Sequence, residues 1–177
     1  MGLVYYDMGD YSKALLSHEK ALEIRQQSLP SNHPLLALSY SNIGFMYKSM
    51  GEYAKALSYY EKALEIRRHS LPPNHPDSAW SHNNIGNVYN KVQDYAKALS
   101  FHEKALEMRQ QSLPANHPDL AHSYANIGIV YENLSEHSKA LSFYERAVDI
   151  GQRSLLSNNR NLEKWRKNLD RIKQKLK

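Results

Sequence analysis

The sequence predicts an all-α fold: a right-handed α-solenoid of about four helix hairpins, closed by a C-terminal capping helix. Three observations predict it. First, the chain repeats itself with a period of 42 residues: positions 43–84 laid over 85–126 agree at 25 of 42 places, and the same register recurs from Gly2 and again from Ile127. Such a period marks a solenoid, because each unit buries its apolar face only against its neighbours. Second, Pro34, Pro76 and Pro118 each follow an Asn-His pair, and proline suits the first turn of a helix, where its missing N–H has no intrahelical partner. Third, between these prolines apolar residues recur at three- and four-residue steps, the periodicity of an amphipathic helix.

The elements follow in order. The first unit starts at Gly2 in the register of the middle of a first helix, so residues 1–33 are expected to form a truncated hairpin with an open apolar edge, as in a fragment of a longer protein. First helices are expected over 34–50, 76–92 and 118–134, with Asp77 and Asp119 at the positive end of the helix dipole, and with a break near Gly51. Second helices are expected over 53–71 and 95–113 and their counterparts. In the first of these, Ala56, Leu57, Tyr60, Ala63, Leu64 and Ile66 lie close to one face. Small residues at Ala56, Ala63 and Gly44 allow two helices to approach closely, and Leu71-Pro72-Pro73 ends the hairpin. The repeats fall at about 1–33, 34–75, 76–117 and 118–157, an array of some 150 residues.

Residues 158–177 differ in kind. Leu162, Trp165, Leu169, Ile172 and Leu176 step by 3, 4, 3 and 4 with basic residues between them. As a basic amphipathic capping helix this stretch covers the last hairpin and turns charge to water, which a solenoid end requires. A two-stranded coiled coil and a membrane or calmodulin-type helix are the alternatives, the first too short in heptads.

Charge and composition narrow the function. The chain carries 23 Lys plus Arg against 18 Asp plus Glu, but residues 151–177 hold nine basic and two acidic side chains, against 14 and 16 in the rest. The body is close to neutral, so neither nucleic acid nor a membrane surface is the expected partner. Without cysteine, disulfides, thiolate–zinc sites and thiol nucleophiles are excluded. No apolar run approaches the roughly 20 residues of a membrane span, and a cytoplasmic location is expected.

The titratable residues suggest no chemistry. His33, His75 and His117 recur in three separate turns, too far apart for one zinc ion, and read as helix caps. His18 and His102 fall in an inter-helix slot that Tyr60 and Tyr144 occupy elsewhere. Glu61, Glu65, Glu103 and Glu107, beside Lys62 and Lys104, read as a solvated helix face. No phosphate loop, dinucleotide turn, HExxH or GxSxG is present. The expectation is therefore no catalytic site, no cofactor and no metal.

The pattern Tyr40, Ile43, Gly44, Tyr47, Ala56, Tyr60, Ala63, repeated as His82, Ile85, Gly86, Tyr89, Ala98, His102, Ala105, resembles the tetratricopeptide repeat (TPR). The longer unit ending in ALEIR and LP.NHPD.A is similar to the repeat of kinesin light chains. Arg68 and Gln110 stand where the family's closing proline is expected. The resemblance implies a protein-binding scaffold that holds a peptide in a concave groove lined by the first helices. It implies that Asn42, Asn84 and Asn126 face that groove, and that Arg25, Arg67 and Arg109 hold acidic, tryptophan-bearing peptides, with Lys48 as a further basic position. Asn83, Asn87 and Trp80 share the central first helix and complete the candidate set.

From the chemistry of a carboxamide, the recurrent Asn either holds an extended main chain or bonds between neighbouring repeats. Trp80 is either an anchor or a packing residue. Leu38, Trp80 and His122 replace an early basic residue of the family pattern, and Asn90 and Glu132 replace the basic residue at Lys48, so the groove is less basic than the resemblance implies. Two further readings stay open: a regulatory or substrate-recruiting module of a larger enzyme, such as an ADP-ribosyltransferase or a signalling ATPase, and self-association through the N-terminal edge.

Overall fold

The computed structural model describes residues 2–177. Among the described residues nine helices run in order: α1 (Gly2–Asp7), α2 (Tyr11–Ser28), α3 (Pro34–Ser49), α4 (Tyr53–Ser70), α5 (Pro76–Lys91), α6 (Tyr95–Ser112), α7 (Pro118–Asn133), α8 (His137–Ser154) and α9 (Arg160–Lys175). The predicted long helices all form, and those predicted over 34–50, 76–92, 118–134, 53–71 and 95–113 each end one residue earlier than expected. Helices α3 and α4, α5 and α6, and α7 and α8 pair as antiparallel hairpins, and each hairpin stacks on the next through its second helix. The first helices also meet one another directly, α5 against α7.

Local chemistry fixes the ends of these helices. His33, His75 and His117 are N-caps: each Nδ1 accepts from the backbone N–H two residues on, at 3.2, 3.1 and 3.2 Å. Each ring nitrogen thereby satisfies one of the backbone N–H groups that the first turn leaves unpaired. Asp10 and Asp94 cap α2 and α6 by accepting from the N–H of Lys13 and Lys97. The turn inside each hairpin needs one left-handed residue, and Gly9 and Gly51 supply it at φ of 77° and 80°. The predicted break at Gly51 is therefore matched by a second glycine at Gly9. Gln93 and Ser135 hold the same conformation without a glycine, at φ of 63° and 60°, a placement that costs an L-residue on the order of 1 kcal/mol.

The core is one recurring contact. Ile43, Ile85 and Ile127 are fully buried, as are Ala56, Ala98 and Ala140. A large side chain of the second helix lies flat on the glycine of the first: Tyr60 on Gly44, His102 on Gly86, Tyr144 on Gly128. A Cβ on Gly128 would stand 2.9 Å from the Tyr144 ring. Gly128→Ala is therefore expected to destabilise the chain by about 1–3 kcal/mol, seen as a lower midpoint in urea unfolding.

Helix α9 closes the stack, with Leu162, Trp165, Leu169 and Ile172 buried against α8. Each side chain of this size contributes roughly 1.5–3 kcal/mol on burial. Leu176, expected on the same stripe, is instead 45% exposed, at the C-cap just past the last residue of α9. No helix among the described residues is long and apolar enough to cross a membrane.

Candidate functional site: the face of the first helices

The ALEIR arginines are placed by the ends of α2, α4 and α6, and each reaches into the next hairpin. Arg25 donates to Ser39 Oγ at 2.6 Å, Arg67 to Ser81 Oγ at 2.6 Å and Arg109 to Ser123 Oγ at 2.7 Å, always 14 residues further on. Arg25 and Arg109 also donate to the carbonyls of Leu35 and Asp119, and Arg67 to Ser41 Oγ. These bonds stitch each second helix to the following first helix. Arg109 is wholly buried and Arg67 is 7% exposed, so neither guanidinium is presented on the face of the first helices. Only Arg25, half-buried, keeps part of its surface outside. Burial lowers the pKa of both Arg67 and Arg109, partly offset by Asp77 and Asp119.

At the end of the array the stitch changes. Gly151 takes the place of the arginine and Trp165, 14 residues on, the place of the serine. A Cβ on Gly151 would lie 2.9 Å from the Trp165 ring, so the missing side chain makes room for the indole. His122 meets the same indole edge-on with ring centres 5.0 Å apart. The signal for this exchange is in the sequence, as two departures from the repeat spaced like the Arg–Ser pair.

The recurrent asparagines do not share one environment. Asn126 on α7 donates to Asn83 Oδ1 on α5 at 2.6 Å, and Asn133 donates to Asn90 Oδ1 at 2.9 Å. Both bonds join neighbouring first helices, so Asn126 and the buried Asn83 tie the repeats together. Asn42, Asn84 and Asn87 are half-exposed. Among the described residues no side-chain hydrogen bond involves Asn84 or Asn87. Trp80, 41% exposed, covers the Arg109 guanidinium at 4.8 Å and offers its remaining surface to solvent.

Charge varies along this face. Lys48 is half-buried, with its Nζ 4.7 Å above the Phe45 ring. Its pKa is lowered by burial first and by the charge of Lys91 second. Among the described residues no carboxylate lies within ion-pair distance of Lys48. Two repeats on, Glu132 occupies the position of Lys48, and its charge is answered within the fold. It accepts from Arg171 Nε and a second guanidinium nitrogen at 2.8 and 2.7 Å, from Lys175 at 3.2 Å and from the Tyr144 hydroxyl at 2.9 Å. Burial pushes its carboxyl up, and these bonds outweigh that and bring it to about 2. The face is therefore cationic at α3 and α5 and locked by α9 at α7. Among the described residues no group of three or more His, Asp or Glu gathers where it would hold a metal.

The comparisons with known proteins agree with the fold. A family model described as the tetratricopeptide repeat matches residues 1–69 and 77–153. No curated protein sequence matches the chain significantly. Among solved structures, the nearly identical TPR-like repeats of a kinesin-light-chain-type protein from Podosopora anserina superpose with a TM-score of 0.80 at 21% identity, over 98% of this chain and 82% of that one. BtubC (BKLC) from P. vanneervenii gives a TM-score of 0.85 at 26% identity, over 98% and 69%. The apo form of RapI gives 0.82 at 20%, over 99% and 61%.

Proposed function

Because the chain belongs to the tetratricopeptide repeat family, a protein-interaction scaffold, we propose that it receives an extended, acidic partner segment along the face of α3, α5 and α7. The observation that carries this is the Lys48–Lys91 pair, two cations on neighbouring first helices, of which Lys48 has burial but no carboxylate to balance it. An acidic side chain supplied by a partner relieves that repulsion in a partly desolvated setting, where charge-assisted bonds are strong. Asn42, Asn84 and Asn87 offer donors and acceptors to the segment's main chain. Trp80 offers a rigid aromatic surface, the residue type enriched at binding hot spots. Arg25 adds charge at the α2 edge, and Arg67 and Arg109 act through the register of the helices they join.

Fluorescence anisotropy of a labelled acidic, tryptophan-bearing peptide tests this reading. Binding is expected to weaken as salt rises, since charges separated by more than about 8–10 Å are screened at physiological ionic strength. The double variant Lys48→Gln, Asn84→Ala is expected to bind roughly tenfold more weakly, about 1.4 kcal/mol, with an unchanged melting temperature. Full affinity in a folded double variant rejects the proposal.

A second reading rests on the first hairpin. Val4 is 61% exposed, whereas Met46, Val88 and Val130 in the same register of the later repeats are at most 1% exposed. A second copy stacking on that edge buries Val4 in the way the later repeats bury its counterparts. Sedimentation equilibrium at high concentration distinguishes a dimer from a strict monomer.

A further inference from the structure

The repeats are alike except at one place behind the groove. Leu36 and Leu120 fill the space between one hairpin and the next, 3% and 4% exposed, and the corresponding residue of the central repeat is Ser78. Losing a leucine side chain from a packed interface leaves a cavity unless the surroundings collapse. Here they do not: a cavity of about 350 Å³ opens at Ser78, walled by Leu64, Leu71 and Pro72 from the α4 end and by Met108 from α6. That volume lies at the lower end of small-molecule sites. The lining comes from α4, the loop after it, α6, and Ser78 and His82 on the side of α5 turned away from Trp80, Asn84 and Asn87, so the cavity is separate from the candidate face of α3, α5 and α7.

The cavity is also electrostatically incomplete. Arg67 lines it, is 7% exposed, and has its Nε buried without any hydrogen-bond partner. Its other bonds go to neutral serine hydroxyls, and Asp77 acts on it only at longer range. Arg68 at the rim is paired to Glu65 on the exposed side. His82 shares its Nδ1 with the Ser78 carbonyl at 2.9 Å, and burial lowers its pKa, so it adds no charge at neutral pH. Among the described residues no carboxylate lines the cavity. A buried donor left unpaired costs roughly 1–3 kcal/mol, and a cation with no counter-ion raises that cost.

We propose that this cavity is a binding site for a small apolar carboxylate of medium-chain fatty-acid type, its alkyl chain against Leu64, Leu71 and Met108 and its carboxylate end drawn to the charge of the Arg67 guanidinium. The apolar wall supplies the area, and the unpaired guanidinium selects the anion over a neutral or cationic molecule of the same length. The site is particular to the central repeat, because leucine closes the corresponding space in its neighbours.

Titrating the full chain with sodium octanoate tests this, read by calorimetry and by the ¹³C-methyl spectrum of its methionines. Saturable one-to-one binding is expected, with the Met108 methyl signal shifting while those of Met8, Met46 and Met50 stay in place. Octylammonium and 1-octanol are expected to bind at least about tenfold more weakly. Ser78→Leu, which restores the residue of the neighbouring repeats, is expected to raise the melting temperature and to weaken octanoate by more than about tenfold. Ser78→Ala keeps the cavity open and is expected to retain binding. No saturable octanoate binding, shifts that leave Met108 unmoved, equal affinity for octylammonium, or full affinity in Ser78→Leu would each overturn the assignment. The methyl spectrum of the wild-type chain decides the matter even if Ser78→Leu fails to fold.

Discussion

Arg109→Ala is expected to lower the unfolding free energy by about 3–5 kcal/mol, the range for emptying a large, fully enclosed site. Arg109 is one of the largest fully buried side chains in the protein and joins α6 to α7 at the middle of the array. Truncation removes its packing, frees the Ser123 hydroxyl inside the interface and takes away the guanidinium under the Trp80 ring. The charge itself contributes little to this loss. Its Nε and one terminal nitrogen are buried without partners, and an imperfectly answered buried ion is often no better than an apolar side chain of the same shape. Arg109→Met is therefore expected to cost less than about 1.5 kcal/mol, the range for shape-conserving replacements. Urea unfolding of the two variants side by side checks this, and equal losses would show that the guanidinium bonds, rather than the filled volume, hold the repeats.

Acidification between pH 6.5 and 4 is expected to destabilise the chain through His102, and His102→Tyr is expected to remove that share. The ring is 1% exposed against Gly86, its Nδ1 has no partner, and burial depresses its pKa to about 4, with Arg109 pushing the same way. The folded state thus prefers the neutral ring more strongly than the unfolded chain does. The associated stability is complete above the unfolded pKa near 6.5 and is lost as pH falls through about 4. Over that window the loss tends towards something on the order of 3 kcal/mol. Tyrosine occupies the same slot at Tyr60 and Tyr144, does not titrate there and fits beside a glycine. His82 and His122 are also depressed by burial, so the variant keeps part of the slope. The difference between the two unfolding curves across pH 4–7 isolates His102, and parallel curves would exclude it.

The candidate face is partly legible in the sequence. Asn42, Asn84 and Asn126 stand out by recurrence, and recurrence marks equivalent places in the repeat. It does not mark equivalent use. Asn126 bonds to Asn83 because residue 83 happens to be a carboxamide, whereas Ser41 and Ala125 stand at the same place in the neighbouring repeats. The arginines illustrate the opposite problem. The family resemblance implies a ligand contact for the recurrent Arg, but its serine partner lies 14 residues away across a loop, a spacing that becomes informative only once the hairpins are stacked. The cavity at Ser78 has the same character, since a small polar residue at one register position reads as surface variation until its leucine counterparts prove to be buried.

What the sequence determined by itself was the repeat, the boundaries of α3 to α7 to within one residue and the amphipathic cap. Each is set by local chemistry: proline at a first turn, histidine or aspartate as a cap, and apolar side chains spaced to share a helix face. What only the tertiary structure decided was which polar groups spend their bonds inside the solenoid. Arg67, Arg109, Asn83 and Glu132 are consumed by neighbouring helices, whereas Lys48 and Asn84 make no side-chain hydrogen bond among the described residues. The physical reason is that a solenoid unit completes its burial only against its neighbours. The environment of a side chain is fixed by the next repeat, and the substitutions that distinguish one repeat from another decide whether the space between them is filled, bonded or open.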